Sequence, residues 1–520
     1  MKVKQKNTKY ALVSVSDKTG VADFCRALIK NNYTIISTGG TGKLLSQEHI
    51  PFTPIQEITG NPECFDGRMK TISFQIESGI LFDRSKKTHQ KEAHELGIVS
   101  IDVVVCNLYP FEKTVAQKSV TIADAVENID VGGPTMVRAA AKNFQHVLVV
   151  VDPNDYQVLG NQLGKKVSLE QRQQLAAKAF AHLSFYDAQI ATFFGSTEFP
   201  EEITIPGRKS MDLRYGENPH QKAAVYLTPG TYSPFKDLKK WAGRDLSLIN
   251  ITDINAGIES VRLFKEPAAV IIKHNSPCGI ALGTTSAQAL QRAIDADPES
   301  AFGGVIVLNS TLDTETAKVI SSFKEERRSN IDIIASPNVK PNAVEALISV
   351  RKTLGIYSFG ALTIDSRTNV KWIDGGFVLQ TADSEVEESF KNWEIATKVK
   401  PTKQQLEQMQ IAWKFLTKIP SNAVIVVDSK LPMTRGIGSR QTSRVRSTRL
   451  ALEQAGAHAN GAILASDSFF PFDDSVRLAG QFGIKAIIQQ GDSINDKASI
   501  AAADELGLVM VLTHRRAFWH

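Results

Sequence analysis

The feature that most constrains the fold is the alternation of short apolar runs with amphipathic stretches in the first third of the chain. Strand-like runs such as Tyr10–Ser16 and His146–Asp152 are separated by stretches with helical spacing, and one long amphipathic helix is predicted over 168–195. This alternation is typical of a parallel sheet covered by helices on both faces, with ligands bound at the carboxyl ends of the strands. Asp17 is predicted to cap the first helix.

Composition excludes several classes of protein. A chain of 520 residues is too long for one core, and the loss of periodicity after residue 195 predicts two domains, 1–200 and 201–520. No apolar run approaches the roughly 20 residues of a transmembrane helix. Four cysteines without C-x-x-C spacing disfavour a disulfide scaffold or zinc knuckle and favour the reducing cytoplasm. A net charge of +5 is too small to predict nucleic-acid binding, and Arg435–Arg449 is either a solvated basic loop or an anion site.

Polar residues cluster where the strands of the predicted sheet end. The cluster comprises Ser14, Ser16, Lys18, Ser37, Gly39, Thr41, Arg68, Lys70, Thr71 and the glycine pair at 132–133. Hydroxyls, cations and free N–H groups at helix starts together form a phosphate cradle. Ser37 and Leu44 occupy positions where a P-loop requires glycine and Ser or Thr, and the dinucleotide fingerprint is also missing. A phosphorylated small molecule is therefore the predicted ligand.

Further residues could supply chemistry. A buried strand ends at Lys273-His274, either because the strand surfaces there or because it holds the pair in place. Asp130 and Lys142 could act near Tyr109, although Asp130 could instead cap a helix and Lys142 could be a solvated lysine at a helix end.

An aromatic turn suggests the shape of a second ligand. Phe469, Phe470 and Phe472 lie in a turn rich in Pro and Asp, which favours a flat heteroaromatic ligand. Neither H-x-E nor P-C-x-x-C occurs, so a catalytic zinc is not predicted.

Ten motifs, in order along nearly the whole chain, resemble one family. They are SVSDKTG, STGGT, CNLYPF, ID-GGPT-RAAAKN, LRYGENPHQ, KHNSPCG, SAFGG, SNA, SRV and SDSFFPF-DSV. Together they resemble the bifunctional AICAR transformylase/IMP cyclohydrolases of purine biosynthesis. The resemblance implies an α/β fold, with a methylglyoxal-synthase-like cyclohydrolase domain at 1–200. It also implies a transformylase at 201–520, built from two cytidine-deaminase-like α/β halves.

The resemblance also implies reactions and partners. Formyl transfer from the co-substrate 10-formyltetrahydrofolate to AICAR would give formyl-AICAR, and dehydrative ring closure would then give IMP. No metal is expected to be required for catalysis. The expected protein is a cytoplasmic homodimer with transformylase sites between subunits, and neither nucleic acid nor membrane is an expected partner.

The family pattern assigns a role to each matching residue of this sequence. The catalytic residues it implies are Lys273, His274 and Asn422 for formyl transfer, and Lys70, Tyr109, Asp130 and Lys142 for ring closure. The nucleotide-binding residues it implies are Ser14, Ser16, Lys18, Ser37, Gly39, Thr41, Arg68, Thr71, Asn107, Arg214, Tyr215, Asn250 and Arg516. The folate-binding residues it implies are Ser443, Arg444, Val445, Phe469 and Asp474.

The chain departs from the family pattern at several positions. Ser73-Phe74 replaces His-Pro, Glu77-Ser78 replaces His-Gly, Asn495 replaces arginine and Arg440 replaces glycine. Three hypotheses follow: an enzyme with both activities, a transformylase with a weakened or lost cyclohydrolase, and a non-catalytic nucleotide-sensing protein. An acid–base pair at Lys273-His274 favours an enzyme, because binding alone does not require one.

Overall fold

The computed structural model describes residues 9–65, 67–117, 119–165, 167–228, 231–322, 330–363, 368–383 and 386–520. The chain forms two compact units. One reaches Arg208, and the other comprises Lys209–Leu227 and Tyr232–His520. This division lies close to the boundary that the sequence predicts at residue 200.

The first unit is built on a five-stranded sheet whose strand pairs are all parallel, in the order β3-β2-β1-β4-β5. Its strands are β1 Lys9–Val13, β2 Tyr33–Ser37, β3 Thr53–Pro54, β4 Ile101–Val105 and β5 Leu148–Val150. Its helices are α1 Val21–Lys30, α2 Gly39–Gln47, α3 Ile55–Thr59, α4 Phe74–Leu81, α5 Lys87–Glu95, α6 Phe111–Val115, α7 Ile122–Glu127, α8 Gly132–Lys142, α9 Tyr156–Gly160 and α10 Leu169–Phe194. The parallel α/β prediction is confirmed.

Helix capping follows the sequence at one predicted helix and departs from it at another. Ser168 caps α10 by accepting a hydrogen bond from the Gln171 backbone N–H, so the helix predicted over 168–195 is confirmed. The prediction that Asp17 caps α1 is wrong. Gly20, in the left-handed conformation with φ 68°, stands at that N-cap, and the Asp17 carboxylate instead accepts from the Thr19 N–H at 2.9 Å.

The second unit contains two six-stranded sheets with the same topology, in the orders β10-β9-β11-β12-β13-β8 and β18-β17-β19-β20-β21-β16. In each, a hairpin pairs antiparallel with the first of three parallel strands, and a short antiparallel strand closes the far edge. The two halves that the resemblance implies are therefore visible as a topological repeat.

The elements of the second unit alternate along the chain. Its strands are β6 Arg208–Asp212, β7 Ala224–Leu227, β8 Lys239–Ala242, β9 Ala268–Lys273, β10 Ser276–Leu282, β11 Val305–Leu308, β12 Ile333–Ser336, β13 Gly355–Ser358, β14 Thr368–Ile373, β15 Gly376–Thr381, β16 Glu394–Ile395, β17 Val424–Val427, β18 Thr434–Gly438, β19 Ile463–Ser466, β20 Ala486–Gln489 and β21 Val509–Leu512. Its helices are α11 Leu248–Val261, α12 Ser286–Ala296, α13 Thr314–Ser322, α14 Pro341–Val350, α15 Lys403–Leu416, α16 Arg444–Ala455, α17 Asp474–Gln481 and α18 Asp496–Glu505. A further hairpin pairs β14 with β15, and β6 forms a two-stranded sheet with β7.

The central strands are apolar and buried on both faces. Every residue of β11, β17 and β20 is buried, as expected for strands covered by helices on both sides. Among the described residues, no helix is long and apolar enough to cross a membrane.

Candidate active sites

A cavity of about 410 Å³ opens in the first unit at the carboxyl ends of its central strands. Among the residues lining it are Ser14, Ser16, Arg68, Lys70, Thr71, Asn107, Tyr109 and Asp130, all predicted site residues, together with Gly132 and Gly133. The segments after β1 and β4 come together there because these strands are neighbours, and the Ser14 N–H donates to the Val105 carbonyl at 2.9 Å. The structure thus brings together eight of the residues that the motifs single out.

Two predicted residues support the segment after β1: Asn107, which lines the cavity, and Thr41, which lies outside the lining. The Asn107 side-chain oxygen accepts from the backbone N–H groups of Ser16 and Asp17 at 2.7 and 2.8 Å, and its amide donates to the Asp17 carbonyl at 3.0 Å. The Thr41 hydroxyl bonds both the N–H and the carbonyl of Val15, at 3.0 and 3.1 Å. Asn107 and Thr41 therefore hold the segment after β1 in position.

Three more predicted nucleotide-binding residues lie outside the cavity lining. Ser37 is fully buried and donates its hydroxyl to the Val13 carbonyl at 2.8 Å. Gly39 begins α2 with φ 54°. The exposed Lys18 directs its Nζ to the Val15 and Ser16 carbonyls at 3.4 and 3.3 Å.

Lys70 and Asp130 form the ionisable centre of the cavity. Burial raises the pKa of Asp130, while a hydrogen bond from the Gly133 N–H at 2.9 Å and the charge of Lys70 oppose that rise. The Asp130 N–H donates to the Tyr186 hydroxyl at 2.7 Å. Asp130 therefore contacts the first turn of α8, as a helix-capping residue would, and it also lines the cavity.

The glycine pair at the start of α8 is required by close approach. A methyl group on Gly132 would lie 2.3 Å from the Thr71 hydroxyl oxygen, and one on Gly133 would lie 2.4 Å from an Asp130 carboxylate oxygen. No real Cβ tolerates such distances, so any larger residue would move Thr71 or Asp130.

Lys142 was predicted at the site but lies away from the cavity, whereas Glu127 was not predicted but lines it. Lys142 is exposed at the C-terminal end of α8, about 15 Å along the helix from the end beside the cavity. Its catalytic role stays a prediction. Glu127, which the motifs do not single out, lines the cavity and forms an ion pair with Arg68. Its position two residues before the ID-GGPT motif was the available sequence signal.

The segment where the chain departs from the family pattern forms α4. Ser73 caps this helix by accepting from the Ile76 N–H at 3.1 Å. Phe74 is exposed, whereas one carboxylate oxygen of Glu77 is buried without a hydrogen-bond partner among the described residues. Burial raises the pKa of Glu77 to about 7. Ser73 thus supplies an ordered helix start directly after Lys70 and Thr71.

In the second unit, Lys273 and His274 lie at the β9–β10 turn. His274 and Asn275 form a two-residue loop with φ 55° and 57°, the left-handed conformation of a type I′ hairpin turn. Residues other than glycine are uncommon in this conformation, and such outliers are concentrated at functional sites. The Lys273 ammonium donates to the Phe302 carbonyl at 2.8 Å, which holds this side chain at the strand end.

The first turns of α11 lie against this hairpin. The Asp253 carboxylate accepts from the Asn275 N–H at 2.7 Å, and burial raises the pKa of Asp253. Asn250 is buried, and its oxygen completes a capping box with Ser247. Arg214 stacks on the Tyr215 ring at 4.6 Å and is anchored by its N–H to the Leu246 carbonyl just before the helix. Arg214, Tyr215 and Asn250 therefore gather at the N-terminal end of α11.

A second cavity, of about 450 Å³, lies near the ends of the strands in the second half of this unit. Its lining includes Asn422, Ser443, Arg444, Val445, Phe469, Phe472, Asp474, Arg516 and Phe518. The prediction that all three phenylalanines of the SDSFFPF turn face a ligand is wrong for Phe470. That side chain is fully buried in the core, because adjacent residues of the extended turn point to opposite sides.

A buried ion pair organises this second cavity. Asp467 is fully buried and pairs with Arg444, whose second terminal nitrogen donates to the Asn422 side-chain oxygen at 2.7 Å. The Asp467 carboxylate also accepts from the Ser421 hydroxyl at 2.5 Å and the Ala423 N–H at 2.9 Å. The motif comparison does not single out Asp467, although it lies in the SDSFFPF motif. A polar residue directly after the buried β19 was the available signal.

Two protein families match successive parts of the chain. Residues 140–454 match the AICARFT/IMPCHase bienzyme family and residues 20–135 match the MGS-like domain. The bifunctional purine biosynthesis protein PurH of Halalkalibacterium halodurans is 43% identical, with 98% of this chain and 99% of that protein covered. PurH of Oceanobacillus iheyensis is 42% identical (99% and 100% covered) and that of Cyanothece sp. 44% (98% and 99% covered).

Proposed function

The chain belongs to the AICARFT/IMPCHase bienzyme family, and from this premise we propose that each unit catalyses one of two successive reactions. The second unit transfers a formyl group from 10-formyltetrahydrofolate to AICAR, and the first closes formyl-AICAR to IMP with loss of water. The observation that carries the formyl-transfer assignment is the left-handed turn that presents His274 beside Lys273. A protein that only bound nucleotide would not need an acid–base pair held in this way.

Ring closure is assigned to the cavity of Lys70 and Asp130. The carboxamide nitrogen of formyl-AICAR attacks its own formyl carbon, and water leaves from the resulting centre. Lys70 and Tyr109 would stabilise charge on the departing oxygen, and Asp130 would accept the proton from nitrogen. Because the reacting atoms belong to one molecule, most of the acceleration comes from holding them in attack geometry. Arg68 and the hydroxyls of Ser14 and Ser16 would bind the phosphate.

Formyl transfer is assigned to the β9–β10 turn and the Asn422 cavity. The aromatic amine of AICAR is a weak nucleophile, and His274 would take its proton as the amine attacks the formyl carbon. Lys273 would stabilise the oxygen that gains negative charge, and Asn422 would orient the formyl group. The bond from the formyl carbon to N10 of the folate would then break, and tetrahydrofolate would leave as N10 takes up a proton. A positioned acid–base group contributes about 10²–10⁴ in rate. Arg214, Tyr215, Asn250 and Arg516 would bind the AICAR side.

The residues of the second cavity fit a folate. Phe469, Phe472 and Phe518 offer aromatic faces for a flat pterin, and Asp474 provides a carboxylate that accepts N–H groups. Ser443, Arg444 and Val445 begin α16 at the cavity wall. When bound, 10-formyltetrahydrofolate supplies the formyl group.

We further propose that the enzyme is a cytoplasmic homodimer. Within the described residues of one chain, Lys273 and His274 do not line the cavity of Asn422 and Phe469. The ground for this proposal is the family resemblance, which implies transformylase sites between subunits. Light scattering coupled to size-exclusion chromatography tests this, and a monomer with full transformylase activity would contradict it.

The experiment that tests the function is a time course with AICAR and 10-formyltetrahydrofolate, with the nucleotides separated by chromatography. We expect IMP with little formyl-AICAR, and loss of AICAR consumption in His274→Ala. The matched control is His49→Gly. The backbone of His49 is also in the left-handed conformation, but His49 lies in the first unit, far from His274 in the sequence. It should leave both reactions unchanged.

The two alternative hypotheses give different product patterns. Formyl-AICAR that accumulates and closes only at its spontaneous rate would mean that the segment after Thr71 has disabled the first unit. Binding of AICAR without turnover would refute the enzymatic function and favour a nucleotide sensor. The ordered cap of α4 by Ser73 favours an active first unit.

A further inference from the structure

Arg440 occupies a backbone conformation that suits glycine. Its φ is 55°, in the left-handed region that a side chain with a Cβ disfavours. Glycine would adopt the same backbone geometry without strain, and arginine adds a long cationic side chain to it. A strained arginine is retained where the side chain makes a contact that glycine lacks.

The contact that Arg440 makes reaches the turn carrying the acid–base pair. Its Nε donates to the Ser276 hydroxyl at 3.1 Å, and Ser276 is the cross-strand partner of Lys273 in the β9–β10 hairpin. The two residues are 164 positions apart in the sequence and belong to different halves of the second unit. The bond therefore joins the two halves at the hairpin end.

The backbone around Arg440 is tied to the segment before β17. The Arg440 N–H donates to the Pro420 carbonyl at 3.2 Å, and the Asn422 amide donates to the Gln441 carbonyl at 2.8 Å. A displacement of the 439–443 segment would therefore move Asn422 as well as Ser276.

From this geometry we infer that Arg440 is a positioning residue for formyl transfer, acting through Ser276 to hold the Lys273–His274 turn against the 439–443 segment. The inference rests on the proposed function of that turn. Arg440 itself need not touch either substrate. Its removal should therefore lower kcat, because the acid–base pair spends less time in attack geometry, while KM for AICAR and folate changes little.

The test is a double-mutant cycle on the full-length protein with Arg440→Gly, Ser276→Ala and the double variant. We expect each single variant to lower kcat of formyl transfer about tenfold, the effect of losing one hydrogen bond to a charged donor, and the double variant to lose no more than either single one. Glycine adopts a positive φ freely, so the thermal midpoint of Arg440→Gly should be no lower than that of the parent. A purely structural role would instead lower the midpoint and leave kcat unchanged.

Two activity controls accompany the cycle. Closure of supplied formyl-AICAR by the first unit should be unchanged in every variant, and His49→Gly should change neither activity. An unchanged kcat in Arg440→Gly, multiplied losses in the double variant, or a rise in KM alone would overturn the role of Arg440. A parent protein that consumes no AICAR would instead refute the proposed function itself.

Discussion

Replacing the buried carboxylate of Asp467 by an amide should damage both the stability and the chemistry of the second unit. Asp467 is fully buried, and its partner Arg444 is only 8% exposed. In Asp467→Asn the Arg444 guanidinium keeps its charge but loses its counter-ion. The new NH₂ group cannot accept a hydrogen bond, so the Ser421 hydroxyl or the Ala423 N–H loses its acceptor. Removing one partner of a buried ion pair costs about 3–5 kcal/mol of the free energy of unfolding.

The same substitution should slow formyl transfer by releasing Asn422. Arg444 holds the Asn422 side-chain oxygen at 2.7 Å, and this bond depends on the guanidinium remaining where Asp467 places it. A displacement of about 1 Å at a reacting group can cost roughly a hundredfold in rate. We therefore expect kcat for formyl transfer to fall by about that factor, while closure of formyl-AICAR in the first unit is retained.

The assay can follow the second unit selectively because every tryptophan of the chain lies in it. These residues are Trp241, Trp372, Trp393, Trp413 and Trp519. Urea unfolding followed by tryptophan fluorescence measures the stability change, and product chromatography measures the rate. Asp428→Asn is the matched control, because Asp428 pairs with Arg435 at 2.8 Å in the β17–β18 turn, away from Asn422. It should lower stability without lowering kcat.

The reasoning fails if Asp467→Asn unfolds at the urea concentration of the parent and keeps its kcat. It also fails if Asp428→Asn slows formyl transfer as much as Asp467→Asn does. In that case general destabilisation, not the position of Asn422, would govern the rate.

Two predictions concern the first unit. Burial in the folded chain raises the pKa of Glu77 from its ordinary value of 4.5 to about 7. Because the unfolded state then binds fewer protons, the parent should lose stability as pH rises between those values. Glu77→Gln should lack this loss, so the gap between the two thermal midpoints should widen up to about pH 7 and then level off; a constant gap would contradict it. Gly132→Ala should displace Thr71 and lower the rate of formyl-AICAR closure, by up to about a hundredfold. Gly376→Ala, whose added methyl group meets nothing within 4 Å, should not, and equal losses in both variants would contradict the close-approach argument.

Regular periodicity made the first unit predictable from sequence. The helix α10 was predicted over 168–195 and spans Leu169–Phe194 because Ser168 supplies a strong cap and the apolar spacing is continuous. The cluster at the carboxyl ends of β1 and β4 follows from parallel pairing alone. The cap at α1 was mispredicted because an aspartate before a helix can also close a turn on itself, as Asp17 does with Thr19.

The second unit shows what local patterns do not contain. The contacts of Asp467 with Ser421, Ala423 and Arg444 span 23 or more positions of the chain, and no spacing rule connects such residues. The repeated strand order of the two halves is likewise a property of pairing between distant strands. Phe470 was misassigned because composition marks the turn as exposed, whereas burial is decided residue by residue along it.

The contacts at both cavities predict that substitutions of different motif residues will have different effects on structure and rate. One group of motif residues forms hydrogen bonds with backbone groups or other side chains of the protein, and it comprises Asn107, Thr41 and Arg444. Lys70 and Tyr109 line the cavity without such partners among the described residues. Loss of a group of the first kind moves the wall of the site and should lower stability together with the rate, as expected above for Asp467→Asn through Arg444. Loss of a group of the second kind removes an interaction made with the reacting atoms, and should lower kcat and kcat/KM together.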